Sequence, residues 1–80
     1  MNAKYKNIKV QISFVNGDSS EWDENEEFVD HLVELQKCGL TGKELVNTLI
    51  TDDWGPPPRN ITISWTNPDG VAFDVNIYYE

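Results

Sequence analysis

From Ile61 to Ile77 the chain writes two alternating runs around one turn. Ile61, Ile63 and Trp65 alternate with polar residues, and Val71, Phe73, Val75 and Ile77 do the same after Asn67-Pro68-Asp69-Gly70. Period-two alternation is the signature of a strand with one buried face. The four intervening residues suit a type I turn that ends on a left-handed glycine. This register pairs Trp65 with Phe73, Ile63 with Val75 and Ile61 with Ile77, all six on one face. Thr62, Ser64, Thr66, Asp74 and Asn76 fall on the other and read as solvated. A hairpin this one-sided needs a second layer over its apolar face, so the rest of the chain must supply that layer.

The N-terminal part supplies a second hairpin. Ile8, Val10, Ile12 and Phe14 alternate with Lys9, Gln11 and Ser13, and Asn16-Gly17 follows. Parity decides the loop. A two-residue loop at Asn16-Gly17 turns Trp22 to the polar face. A three-residue loop, Val15-Asn16-Gly17, pairs Val10 with Trp22 and Ile12 with Ser20, and so keeps the tryptophan with the apolar set. The second choice places Gly17 in a left-handed bulge.

Two helices fit between the hairpins. Asp23 with Glu26 resembles a capping box, and Glu24, Glu26 and Glu27 suit the positive end of a helix dipole. Phe28, Val29, Leu32, Val33 and Leu35 form the apolar stripe, and Gly39 is a natural stop. Thr41 and Glu44 make a second capping box, with Leu40 and Leu45 at staple positions and Leu45, Val46, Leu49 and Ile50 facing inward. The predicted architecture is α+β, in two layers: a four-stranded antiparallel sheet in the order β-β-α-α-β-β along the chain, with both helices on one face. Strand order across the sheet is left open. Trp22, Phe28, Trp65 and Phe73 read as core.

Eighty residues with 39% apolar content support one core, so residues 1–80 are expected to form one domain. A single cysteine excludes an internal disulfide framework and a multi-cysteine zinc site. No apolar run reaches a membrane span of about 18 residues, and no signal-peptide core follows Met1. The expected compartment is cytoplasmic. Fourteen acids against six bases leave a formal charge of −8. That balance disfavours nucleic acid and anionic membranes as direct partners and favours a basic protein surface.

Catalytic machinery is missing from the sequence. His31 and Cys38 lie on one helix, but seven residues rise about 10.5 Å, too far for a nucleophile and its base. No nucleophile elbow, phosphate loop or dinucleotide fingerprint occurs. The chain reads as a non-enzyme without a cofactor. Glu24, Glu27, His31, Glu34 and Cys38 are spaced by 3, 4, 3 and 4 along the first helix. Two of them could meet a metal ion, although a tight site needs three or four ligands. A metal- or small-ligand-binding protein centred on His31 is therefore the alternative from a different class.

Two segments stand out. Between Asp18 and Glu34 there are eight acids and no lysine or arginine, whereas Lys4, Lys6 and Lys9 precede them. Asp23, Glu24, Glu26, Glu27, Asp30 and Glu34 are the candidates for steering onto a basic partner, beside a purely solubilising role. One version is mimicry, since a groove built for phosphates also accepts carboxylates. The other segment is Asp52-Asp53-Trp54-Gly55-Pro56-Pro57-Pro58-Arg59. Acids at a helix C-terminus oppose its dipole. Proline stiffening of a crossover explains the segment structurally, with Trp54 covering the core. Functionally, Trp54 reads as an aromatic anchor with Asp52, Asp53 and Arg59 as its polar rim. Asn60-Ile61-Thr62 matches a glycosylation sequon but opens a core strand, and Cys38 reads as a partly buried helix residue.

In size and acidity the chain is similar to small phage-encoded inhibitors and nucleic-acid mimics, a likeness of composition that transfers no residues. The reading is a small acidic non-catalytic protein-binding module, an inhibitor or modulator of a larger protein. A nucleic-acid-mimicking inhibitor of a basic groove is the alternative. As to assembly, a monomer or a weak homodimer through an edge strand is expected.

Overall fold

A computed structural model describes residues 5–51 and 57–79. Its elements run β1 Lys6–Phe14, β2 Ser19–Asp23, α1 Glu26–Lys37, α2 Gly42–Leu49, β3 Pro58–Thr66 and β4 Ala72–Tyr78. The four strands form one antiparallel sheet in the order β2-β1-β3-β4. The two hairpins are joined through their first strands, where Val10 lies opposite Ile63 and Ile12 opposite Ile61. That choice puts the most continuously apolar strands at the centre, where both neighbours help to exclude water.

Both hairpin registers agree with the alternation. Val10 pairs with Trp22 and Ile12 with Ser20. Trp65 pairs with Phe73, Ile63 with Val75 and Ile61 with Ile77. In the first turn the Phe14 N–H donates to Asp18 O (2.8 Å) and the Gly17 N–H to Phe14 O (3.1 Å). In the second the Gly70 N–H donates to Asn67 O (2.9 Å) and the Asn67 N–H to Val71 O (2.8 Å). Gly17 and Gly70 take φ of +95° and +88°, the left-handed position that closes each three-residue loop, Val15–Gly17 and Pro68–Gly70.

The core lies on one side of the sheet. Val10, Ile12, Ile61 and Ile63 meet Val29 and Leu32 of α1 and Val46 of α2, all fully buried. Among the described residues no polar or charged residue is buried, so the core carries no desolvation cost of that kind.

Several local expectations are corrected. Asp23 does not cap α1. It is the last residue of β2, opposite Lys9, and the Glu24 N–H continues the pairing by donating to Ile8 O (3.1 Å). The helix begins only when Asn25 leaves the sheet and its Oδ1 accepts the Phe28 N–H (3.3 Å). Thr41 sits at the N-cap of α2 as expected, but makes no side-chain cap bond. Gly42, the first helical residue, has φ +54°, so the first turn is not aligned for a capping box. Phe73 is 46% exposed although it stacks on Trp65, with ring centroids 6.2 Å apart. It belongs to the outermost strand, and α2 covers the opposite end of β4, where the Tyr79 hydroxyl donates to Asn47 Oδ1 (2.9 Å). Cys38 is exposed at the C-cap of α1.

β3 starts at Pro58, three residues before the apolar alternation. Pro58 is buried opposite Phe14, and Pro57 O accepts the Val15 N–H (3.1 Å). Proline is tolerated there because the first residue of a strand can forgo a ladder donor. Asn60 of the sequon hydrogen-bonds Asn76 Oδ1 across the sheet (2.8 Å).

Candidate protein interface

The six acids of the Asp18–Glu34 run named as candidates separate into two groups. Glu26, Glu27, Asp30 and Glu34 stand on α1, with Glu26 partly buried and the other three exposed. From Glu27 to Glu34 is two helical turns, about 10.5 Å of rise on nearly one azimuth. Glu26 and Glu27 occupy the first turn, where the helix dipole favours them, and Lys37 occupies the last. His31 is exposed on the same side.

Asp23 and Glu24 sit elsewhere. Glu24 is partly buried because its Oε2 accepts the Trp22 indole N–H (3.0 Å). That bond satisfies the polar edge of a ring whose body packs on the core. Asp23 is exposed at the end of β2. Both border an open cleft of ≈ 510 Å³ whose other walls are Asn7, Ile8, Lys9 and Ser64. Asn7, which carries φ +53° in the strand, shapes that cleft. It opens a bulge in which Lys6 pairs with Thr66 but Lys9 with Ser64. The alternation of β1 carries no signal for it, although asparagine is among the non-glycine residues most at ease in this region.

Pairing of β1 with β2 also redistributes charge. Lys9 faces Asp23 across the ladder and its Nζ lies 3.4 Å from Glu21 Oε1. Both side chains are about half exposed, so the pair adds little stability. Its consequence is electrostatic. Lys9 of β1 offsets one of the two acids of β2, whereas α1 carries four acids, with Lys37 as its one lysine. Four of the eight acids between Asp18 and Glu34 thus stand on one helix.

The second candidate segment is only partly described. Asp52, Asp53 and Trp54 lie outside the described residues. Arg59 is not in a loop but in β3, exposed, at a second bulge between the pairs Ser13–Asn60 and Phe14–Pro58. Its carbonyl accepts the Tyr79 N–H (3.0 Å). Around His31, the helical spacing fails at Glu24, which precedes the helix. Among the described residues no three histidine, cysteine, aspartate or glutamate side chains come together to hold a metal ion.

In comparisons with known proteins, no family model, no curated protein and no solved structure matches the chain.

Proposed function

We propose that this chain is a small acidic binding module that docks the outer face of α1 on a basic surface of a larger protein, without catalysis. The observation that carries the proposal is the density of carboxylates on α1, four in twelve residues. Glu27, Asp30 and Glu34 are exposed on a rigid helix whose one lysine is Lys37, in its last turn. A rigid row of carboxylates steers a basic partner and loses little side-chain freedom on docking beyond that of the glutamates themselves. Trp54, a few residues past α2, enters as the apolar anchor on its residue type alone.

The test is affinity capture from nuclease-treated lysate, washed at low and high salt, with a triple variant as control. Glu27→Lys, Asp30→Lys and Glu34→Lys together are expected to abolish capture of a basic protein that the wild type releases at high salt. Retention of that protein by the triple variant would remove α1 from the interface. Displacement of the captured protein by duplex DNA assigns the mimicry form, in which the carboxylates occupy a phosphate groove. Retention at high salt, with loss of about 2 kcal/mol or more on Trp54→Ala, assigns binding to the anchor instead.

A further inference from the structure

The two edges of the sheet are unequal. β2 is five residues long and carries Glu21 and Asp23. Short length and charge are the usual protections of an exposed edge. β4 is seven residues long, with Asp74 as its one charge and no lysine or proline. The bonds Asn67 N–H to Val71 O and Tyr79 N–H to Arg59 O bracket the β3–β4 ladder. In an antiparallel pair, residues alternate between facing the partner strand and facing away. The odd-numbered residues of β4 therefore bond β3. The backbone groups of Ala72, Asp74, Asn76 and Tyr78 point outward, on the last strand of the sheet.

Three of the four large apolar side chains exposed among the described residues lie on or beside the same strand, the fourth being Val15 in the first turn. Phe73 is 46% exposed and Tyr78 58%, on opposite faces, and Val71 just before the strand is 49% exposed. On the helix side, Leu40, Leu45, Val75 and Ile77 line an open groove of ≈ 370 Å³ along β4. We propose that the outer edge of β4 pairs antiparallel with β4 of a second copy of this chain, making an eight-stranded sheet with all four helices on one face.

Charge selects the register. Outward-facing residues must oppose one another, which leaves three two-fold arrangements near the strand centre. Centring on Asp74 sets two carboxylates face to face, which is unfavourable. Centring on Asn76 puts Asp74 opposite Tyr78. Centring on Val75 puts Asp74 opposite Asn76, a carboxylate against an amide donor, twice. It also sets Tyr78 opposite Ala72 and Phe73 opposite Ile77, so each exposed aromatic covers a smaller or buried neighbour. Phe73 of one copy then stands at the groove of the other. The apolar side chains covered amount to on the order of 100 Å² for each half-exposed aromatic. With the backbone edge, this falls below the roughly 800 Å² per partner of a standard interface, so the dimer is a weak one. Each copy carries −8, so salt should tighten it by screening. That sign is opposite to the one expected for α1 binding a basic partner.

Sedimentation analysis of the purified chain from about 10 µM to about 1 mM tests this. The expected mass rises from 9.2 kDa toward twice that value, and rises further with salt. Asn76→Asp keeps an oxygen to accept from Asn60 and Thr62, so it preserves the fold. Facing Asp74 of the second copy, it should weaken the dimer about tenfold. Asn76→Lys should strengthen it. Circular dichroism checks that both variants are folded. A single 9.2 kDa species throughout the range would overturn the proposal. So would a dimer indifferent to both substitutions.

Discussion

Among the described residues, Asn7 is the one non-glycine residue with a left-handed backbone. At φ +53° within β1 it sits where side chains with a branched Cβ are badly strained. Asn7→Val should therefore cost about 1–2 kcal/mol, whereas Asn7→Gly should be close to neutral. Urea unfolding of the two variants distinguishes this from a generic surface effect, since both lose the same amide. The start of α1 gives a second contrast at this scale. Asn25→Ala removes the oxygen that accepts the Phe28 N–H and should lose about 1 kcal/mol. Asp23→Ala should leave the helix intact, because Asp23 belongs to β2. Equal losses in the two variants would return the cap to Asp23. The capping box at Asp23 and Glu26 was a sound local pattern. It failed because a strand pairing some fifteen residues away competed for Asp23 and Glu24.

The end of α1 shows an element closed by its own sequence. The Leu40 N–H donates to Leu35 O (3.2 Å) and the Gly39 N–H to Gln36 O (3.0 Å), with Gly39 at φ +89°. These are the paired bonds of a Schellman stop, and Leu35 and Leu40 both pack on the core beside it. A Cβ on Gly39 would meet nothing within 4 Å, so Gly39→Ala carries a conformational cost alone. About 1–2 kcal/mol is expected, with Gly39→Asn recovering part of it in thermal unfolding. The α1–α2 turn and both hairpin loops were legible from residues within five positions of one another. The inner end of β3 was not. Pro57 and Pro58 read as a stiff crossover, yet Pro58 is sheet, because Phe14 and Val15 of the other hairpin reach it.

At the scale of the whole molecule, stability rests on the contact between central strands and helices. Ile63 is fully buried among Val10, the helices and β4. Ile63→Ala should cost about 2–5 kcal/mol, a large share of what a domain of this size has to lose, and should leave little folded protein at physiological temperature by calorimetry. A net charge of −8 on 80 residues opposes folding by self-repulsion, so the melting temperature should rise as salt goes from about 0.01 M to about 0.15 M. A flat salt profile would mean that local pairs such as Lys9–Glu21 already offset the repulsion. The α+β class, both hairpin registers and the left-handed glycines at 17, 39 and 70 follow from the chain's own local order. Parity, turn geometry and helix stops are each decided by residues a few positions apart. The joining of β1 to β3, the bulge at Asn7, the exposure of Phe73 and the late start of α1 were decided by contacts between distant segments. So was the pairing of Lys9 with Glu21, since a lysine in β1 and a glutamate in β2 become neighbours only once the strands have paired.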